Sequence, residues 1–246
     1  MVQPTQTPSP DRVAVVEWAA RMGAITAEAL AARWDTSIPS ARARLLGAAR
    51  AGLLRRSRPL TEQPSLYTVT RAGLRVCGMS GLDPCRVSAS NALHSITCAE
   101  VAVALERCYP DHRVLGEREL RRDERECGAP LASAALGTAP AGGSLLHRPD
   151  LVLWPESSED ELPVAIEVEL TIKGHRRLTD ICRAWARCRC VAGVVYLAPP
   201  EVEQALQRAV ATAQAGEAIA VVPLEALPQP GTPTGAPADR TIPSGP

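Results

Sequence analysis

Apolar positions recur at helical spacing through the first fifty residues. Val15, Val16, Trp18, Ala19 and Met22 fall on one stripe ahead of Gly23, and Asp11 is placed to cap the helix that carries them. Thr26 caps a second helix over 27–34, with Leu30 and Trp34 at i, i+4. After a short turn at 35–37, a third helix runs over 39–51, with Pro39 in its first turn and Gly52 just past its end. On a 100° wheel Ile38, Ala41, Leu45, Ala48 and Ala49 share one face, and Ser40, Ala43, Arg44 and Gly47 lie opposite. Two short strands follow, at 53–58 and 66–70, around a tip rich in Pro and Gln; Thr70 opens a closing helix.

The polar stretch 79–89 reads as a linker. Beyond it a helix is predicted over 90–109, where Cys98, Val101, Ala102, Leu105, Cys108 and Tyr109 recur at helical spacing, and Pro110 ends it. A strand is expected over 113–120, closing on the charged run 121–126. Fifteen of the seventeen residues from 128 to 144 are Gly, Ala, Pro, Ser or Thr, which predicts a mobile loop with little to bury. A strand over 147–155 leads through a polar turn to another over 163–173. The latter alternates without a break: Val164, Ile166, Val168, Leu170 and Ile172 on one side, Ala165, Glu167, Glu169, Thr171 and Lys173 on the other. A helix over 174–190, a strand over 191–197, a helix over 201–215 and a strand over 219–224 complete the pattern. Residues 1–10 and 228–246 are rich in Pro and are expected to be disordered.

Composition adds three constraints. The 246 residues contain no apolar run long enough to span a bilayer and no secretory leader, so a cytoplasmic protein with eight reduced thiols is expected. Lys173 is the single lysine among 27 basic residues, the mark of a GC-rich bacterial genome. Formal net charge is zero, yet residues 11–75 hold eleven arginines against five acids, an excess of six positive charges. A basic module on a neutral chain implies a polyanionic partner. The order helix, helix, helix, hairpin, helix over 11–78, with "AGLLRR…YTVTRAGL", resembles winged-helix transcription regulators. The resemblance implies binding to double-stranded DNA. Ser40, Arg44 and Arg50 would lie on the helix that enters a groove, and Arg55, Arg56 and Arg58 on the wing that meets phosphates. A winged helix used only for protein contacts is the competing reading.

The second half carries the chemistry. Glu167 and Glu169 project from one side of their strand. If the strands at 147–155 and 163–173 pair as a hairpin, Asp150 lies beside Glu167. Three carboxylates then converge, and repulsion among them is relieved by a hard cation such as Mg²⁺ or Mn²⁺. Lys173 is four residues beyond Glu169, about 13 Å along an extended strand, so it reaches back only in part. His147 and His175 flank the cluster. Cys182, Cys188 and Cys190 fall within or at the end of one predicted helix, where i, i+2 positions do not share a face, and they make no zinc spacing.

With "PD" on one strand and "E-x-E" on the next, the αβββαβ order resembles the PD-(D/E)XK restriction-endonuclease-like superfamily over about 89–198. The longer string "GERELRR…HRPDLVLW…VAIEVELTIKGHRRL…VAGVVYLAP" resembles actinobacterial replication-relaxation family proteins, which place a winged helix ahead of a nuclease-like domain and occur on plasmids and other mobile elements. The expected fold is therefore α+β in two domains, a winged helix over 11–78 and a nuclease-like mixed sheet flanked by helices over 90–227. The resemblance implies metal-dependent phosphodiester hydrolysis or nicking, with Asp150, Glu167 and Glu169 as catalytic metal ligands and Lys173 as a further catalytic candidate. Glu169 stands where the superfamily usually has Lys. Glu100 and Glu117 are candidates for an upstream acid. The alternative is a transcription or replication regulator whose nuclease-like domain is inactive and serves homodimer formation or partner binding.

Overall fold

The computed structural model describes residues 8–138, 142–156 and 161–227. The expected disorder of 1–10 and 228–246 falls almost wholly outside these residues, as does the middle of the 128–144 loop. The chain divides into two compact units, one ending at Ala99 and the other starting at Glu100. The expected division placed the boundary in a linker at 79–89. Instead it falls inside a long helix.

The first unit runs α1 (Pro10–Met22), β1 (Ala24–Ile25), α2 (Ala27–Arg33), α3 (Ile38–Arg50), β2 (Leu54–Ser57), β3 (Leu66–Val69) and α4 (Arg71–Val76), then enters α5 (Ala89–Cys108). Each short helix starts on a hydroxyl. Thr26 accepts from the Ala29 N–H at 3.0 Å, Ser37 from Ser40 at 3.3 Å and Thr70 from Gly73 at 3.1 Å. The cap of α1 is Ser9, which accepts from Arg12 at 3.4 Å, and not Asp11. Pro10 supplies the first helical residue two positions before the start that an Asp11 cap implies, because its fixed φ suits the first turn. The three strands form an antiparallel sheet in the order β1-β3-β2. Two residues of β1 are too few for alternation to reveal, so the third strand is not legible in the pattern. Val15, Val16, Trp18, Ile25, Leu30, Leu45, Leu66 and Tyr67 are buried. Ile38 is not: at the first turn of α3 it is 42% exposed, whereas Ala41, Leu45 and Ala48 bury the face as expected.

Gly73 marks the tightest packing in this unit. A Cβ there would lie 2.3 Å from the Leu53 carbonyl oxygen and 2.8 Å from the Val69 side chain. Both neighbours belong to the β2–β3 hairpin region and cannot swing aside as a flexible side chain could. Gly73→Ala is therefore expected to destabilise the unit by about 1–3 kcal/mol, read as a lowered denaturation midpoint. An unchanged midpoint would show that α4 shifts freely.

The second unit holds the rest of α5, then β4 (His112–Gly116), α6 (Glu117–Cys127), β5 (Ala134–Thr138), β6 (Ser144–His147), β7 (Leu151–Pro155), β8 (Val164–Val168), α7 (His175–Ala186), β9 (Gly193–Ala198), α8 (Pro200–Ala213) and β10 (Ile219–Pro223). Five strands form a mixed sheet in the order β10-β9-β8-β7-β4. β8, β9 and β10 run parallel; β7 is antiparallel to β8 and to β4. Its core gathers Leu115, Leu120, Val152, Leu178, Ile181, Trp185, Tyr196 and Leu206. The class is α+β, as expected. Among the described residues no helix is long and apolar enough to cross a membrane.

Four expectations in this unit are corrected. The strand expected over 113–120 stops at Gly116, and the charged run becomes α6, closed by Gly128 at φ 75°. The loop expected over 128–144 contains β5 and pairs with β6 as a hairpin. The strand expected over 147–155 is interrupted at 148–150, since Pro149 donates no hydrogen bond to a ladder. The helix expected to reach 190 ends at Ala186.

Candidate active site

The hairpin across 156–161 pairs β7 with β8, Leu151 opposite Ile166 and Val152 opposite Ala165. Continued by one residue, that register sets Asp150 against Glu167, on the same side of the sheet. β8 is a central strand covered on both faces. Ala165 is fully buried, Ile166 and Val168 nearly so, and Glu167 and Glu169 are each only 4% exposed. β8 is therefore not a half-exposed strand with a solvated acidic face.

Asp150 is fixed by the turn into β7. Its carboxylate accepts from the Val168 N–H at 2.8 Å, and its carbonyl accepts from the Glu117 N–H at 3.0 Å. Glu167 sits deeper. Its Oε1 accepts from the Trp185 indole N–H at 3.2 Å and lies 2.6 Å from His147 Nε2. The His147 and Trp185 rings meet edge to face with centroids 5.7 Å apart. Burial pushes the Glu167 carboxyl above its ordinary range; His147 opposes this, the nearby Asp150 charge adds to it, and Lys173 opposes it. The same charge reaches the surrounding groups. Burial and Glu167 raise the Cys182 thiol to about 11 and push the Tyr196 phenol up.

Glu169 extends the β8–β9 ladder by one bond, its N–H donating to the Leu197 carbonyl at 2.9 Å. Its carboxylate forms an ion pair with Lys173. This corrects the expected partial reach of Lys173: β8 ends at Val168, so the chain is no longer extended over 169–173 and the ammonium returns to its acid. Asp150 and Lys173 thus both act on Glu167, and Lys173 links Glu167 to Glu169; the ligand atoms of the three acids do not all lie within 4.8 Å of one another. Of the upstream candidates, Glu117 opens α6 and pairs with Arg121, while Glu100 lies in α5.

Three residues of this region are not legible in the sequence. Glu119 is 1% exposed and faces Arg113 at 3.4 Å. Glu124, also buried, accepts from Arg148 at 2.8 Å and from the Leu131 N–H at 3.1 Å. Both sit on α6, which reads as a charged run; Gly128 at its end is the one local signal of a helix. Trp185 reads as a core residue, and only the fold aims its N–H at Glu167.

His147 also lines a cleft of about 810 Å³ along α7, together with His175, Arg176, Arg177, Arg183 and Arg187. Thus one side chain touches both the buried acid and an arginine-lined opening.

In the first unit, Arg44 projects from α3 but pairs with Asp11 at 2.9 Å and lies 5.0 Å over the Trp34 ring. Ser40 is half-buried and Arg50 exposed on the same helix. Arg55 and Arg56 are exposed on β2. Arg56 donates to Ser65 at 3.1 Å and Arg58 to the Gln63 carbonyl at 3.2 Å, which ties the hairpin to its own tip. No family model matches the chain, and no curated or solved protein does either.

Proposed function

We propose that the chain is a DNA-binding protein of a plasmid or mobile element, akin to the replication-relaxation family. In this reading a winged-helix unit binds duplex DNA and a PD-(D/E)XK-like unit hydrolyses phosphodiesters. The observation that carries the proposal is the link from Glu167 through His147 to the arginine-lined cleft. A phosphate backbone held by the α7 arginines would pass beside the buried carboxylates.

The donor set suits a hard divalent cation. Asp150 and Lys173 both act on the Glu167 charge, Lys173 pairs with Glu169 and His147 meets Glu167. The ligand atoms of the three acids do not all lie within 4.8 Å of one another, so a shared cation would have to draw them closer, and burial leaves Glu167 reluctant to ionise without further positive charge. Asp150, Glu167 and Glu169 would hold Mg²⁺ or Mn²⁺. When bound, the ion supplies Lewis acidity, lowering the pKa of a water and offsetting phosphate charge. The chain's own groups do the rest. The Val168 N–H orients Asp150, the Trp185 N–H orients Glu167, and Lys173 holds Glu169 in place. His147 stands where it could pass a proton between Glu167 and the cleft.

The test is cleavage of supercoiled plasmid in Mg²⁺ or Mn²⁺ by the full-length protein and by Glu167→Ala. Nicked or linear product from the wild type alone supports the proposal. A wild type that binds DNA without cutting it leaves the regulator reading in its place.

DNA binding is checked separately at the hairpin. Arg55→Ala, Arg56→Ala and Arg58→Ala together are expected to weaken duplex binding and flatten its salt dependence. Each lost phosphate contact removes about 0.9 from the slope of log K against log salt. An unchanged slope would remove these arginines from the interface.

A further inference from the structure

Because α7 ends at Ala186, Cys188 and Cys190 lie in the loop that leads to β9 and not on a helix. The two positions that a helix would turn apart are free to face each other. Their sulfurs are 3.2 Å apart, and each is 3.7 Å from the Ser133 carbonyl oxygen at the entry to the β5–β6 hairpin. Both residues are half-buried, so a small reagent can reach them.

We propose that Cys188 and Cys190 form an oxidisable dithiol, converted by a peroxide into a disulfide within this loop. The environment assigns the two roles. Either sulfur could donate across the 3.2 Å contact; with Cys190 as the donor, the Cys188 sulfur accepts from it and from the backbone N–H groups of Cys190 and Val191. These donors lower its pKa to about 6, whereas Cys190 is pushed up and keeps its proton. Cys188 is then the attacking thiolate and Cys190 the resolving thiol.

The Cys188 thiolate attacks one peroxide oxygen; an S–O bond forms, the O–O bond breaks and hydroxide leaves, so sulfur is oxidised by two electrons and peroxide is reduced. That hydroxide takes the Cys190 proton. The Cys190 sulfur then attacks the Cys188 sulfur, the S–S bond forms, and the S–O bond breaks with loss of a second hydroxide. This hydroxide is neutralised by the proton that Cys188 gave up on ionising. Two thiols and one hydrogen peroxide give one disulfide and two waters. The ordinary Cα separation of a disulfide, about 4.4–6.8 Å, is within the span of residues two apart in a bent chain.

The experiment treats the reduced full-length protein with stoichiometric hydrogen peroxide, blocks remaining thiols with iodoacetamide and digests with chymotrypsin. Cleavage after Trp185 and Tyr196 isolates Cys188 and Cys190 in one peptide, apart from the other six cysteines. That peptide is expected to lose two hydrogens and to resist alkylation, while the exposed Cys108 and Cys127 are still alkylated. In Cys190→Ser, dimedone is expected to trap a sulfenic acid on Cys188. In Cys188→Ser, Cys190 should be trapped several-fold less. If Cys188 and Cys190 are alkylated after peroxide as fully as Cys108, or if the two single variants are trapped equally, the proposal is overturned. Plasmid cleavage is not read, so the outcome is independent of the nuclease proposal.

Discussion

Glu167→Gln is expected to raise the melting temperature of the metal-free protein and to remove most of the stabilisation that the proposed Mg²⁺ or Mn²⁺ site would give. The glutamine keeps the shape of the side chain and an oxygen for the Trp185 N–H, but it carries no charge into a site where burial disfavours one. In the wild type, an ion at about a hundred times its dissociation constant should stabilise the folded state by about 2.7 kcal/mol. For a chain of this size that is a rise of several degrees, at about 2–4 °C per kcal/mol. The variant should respond by a fraction of that.

The pH dependence follows from the same group. Glu167 holds its proton to higher pH folded than unfolded, where its value is near 4.5. Between 4.5 and the raised folded value, the folded chain binds more protons than the unfolded one. Stability of the metal-free protein therefore falls as pH rises through this window and levels off above it. Glu167→Gln should abolish that component of the slope. Identical pH profiles for the two metal-free proteins would mean that Glu167 ionises in the fold without cost and needs no cation to offset its charge.

The second large effect is expected at Trp185, which is 1% exposed in the core of the second unit. Trp185→Ala empties the space under α7 and should cost about 3–5 kcal/mol, measured by denaturant unfolding. Trp185→Phe separates packing from hydrogen bonding. It keeps most of the apolar volume but withdraws the donor at 3.2 Å from Glu167 and the wider ring against which His147 packs. Its expected cost is about 1–3 kcal/mol, since a buried carboxylate loses a donor. The falling limb of metal-free stability should also move to higher pH, because the ionised form of Glu167 is then less well supported. A Phe variant with wild-type pH behaviour would leave Trp185 a packing residue only.

Local chemistry made much of the architecture readable. The hydroxyl caps at Thr26 and Thr70 and the glycine after α3 bracketed their helices. The turn at 156–161 and the Pro149–Asp150 entry implied the β7–β8 pairing, and with it the approach of Asp150 to Glu167. Errors came where two local signals compete. α6 carries one apolar residue on its buried side, Leu120, with its other buried positions taken by Glu119 and Glu124. A periodicity built on apolar residues cannot find such a helix. β5 has one large apolar side chain, Leu136, among small residues, so the stretch has the composition of a loop although its backbone pairs with β6.

The alternation in β8 fixed which side Glu167 and Glu169 share, because side chains in an extended chain must alternate. It could not fix whether that side is wet. Burial of both acids came from the place of β8 at the centre of five strands, with α7 bringing Trp185 to Glu167. The same holds for Lys173 and for the Cys188–Cys190 pair. Where a strand or helix stops is decided by the packing around it, and stopping β8 at Val168 and α7 at Ala186 turned residues that a regular element would keep apart into partners. The sequence by itself determined the acids, the arginines and the faces they occupy; the tertiary structure decided which of them are buried and what each one touches, since burial and contact depend on segments distant in the chain.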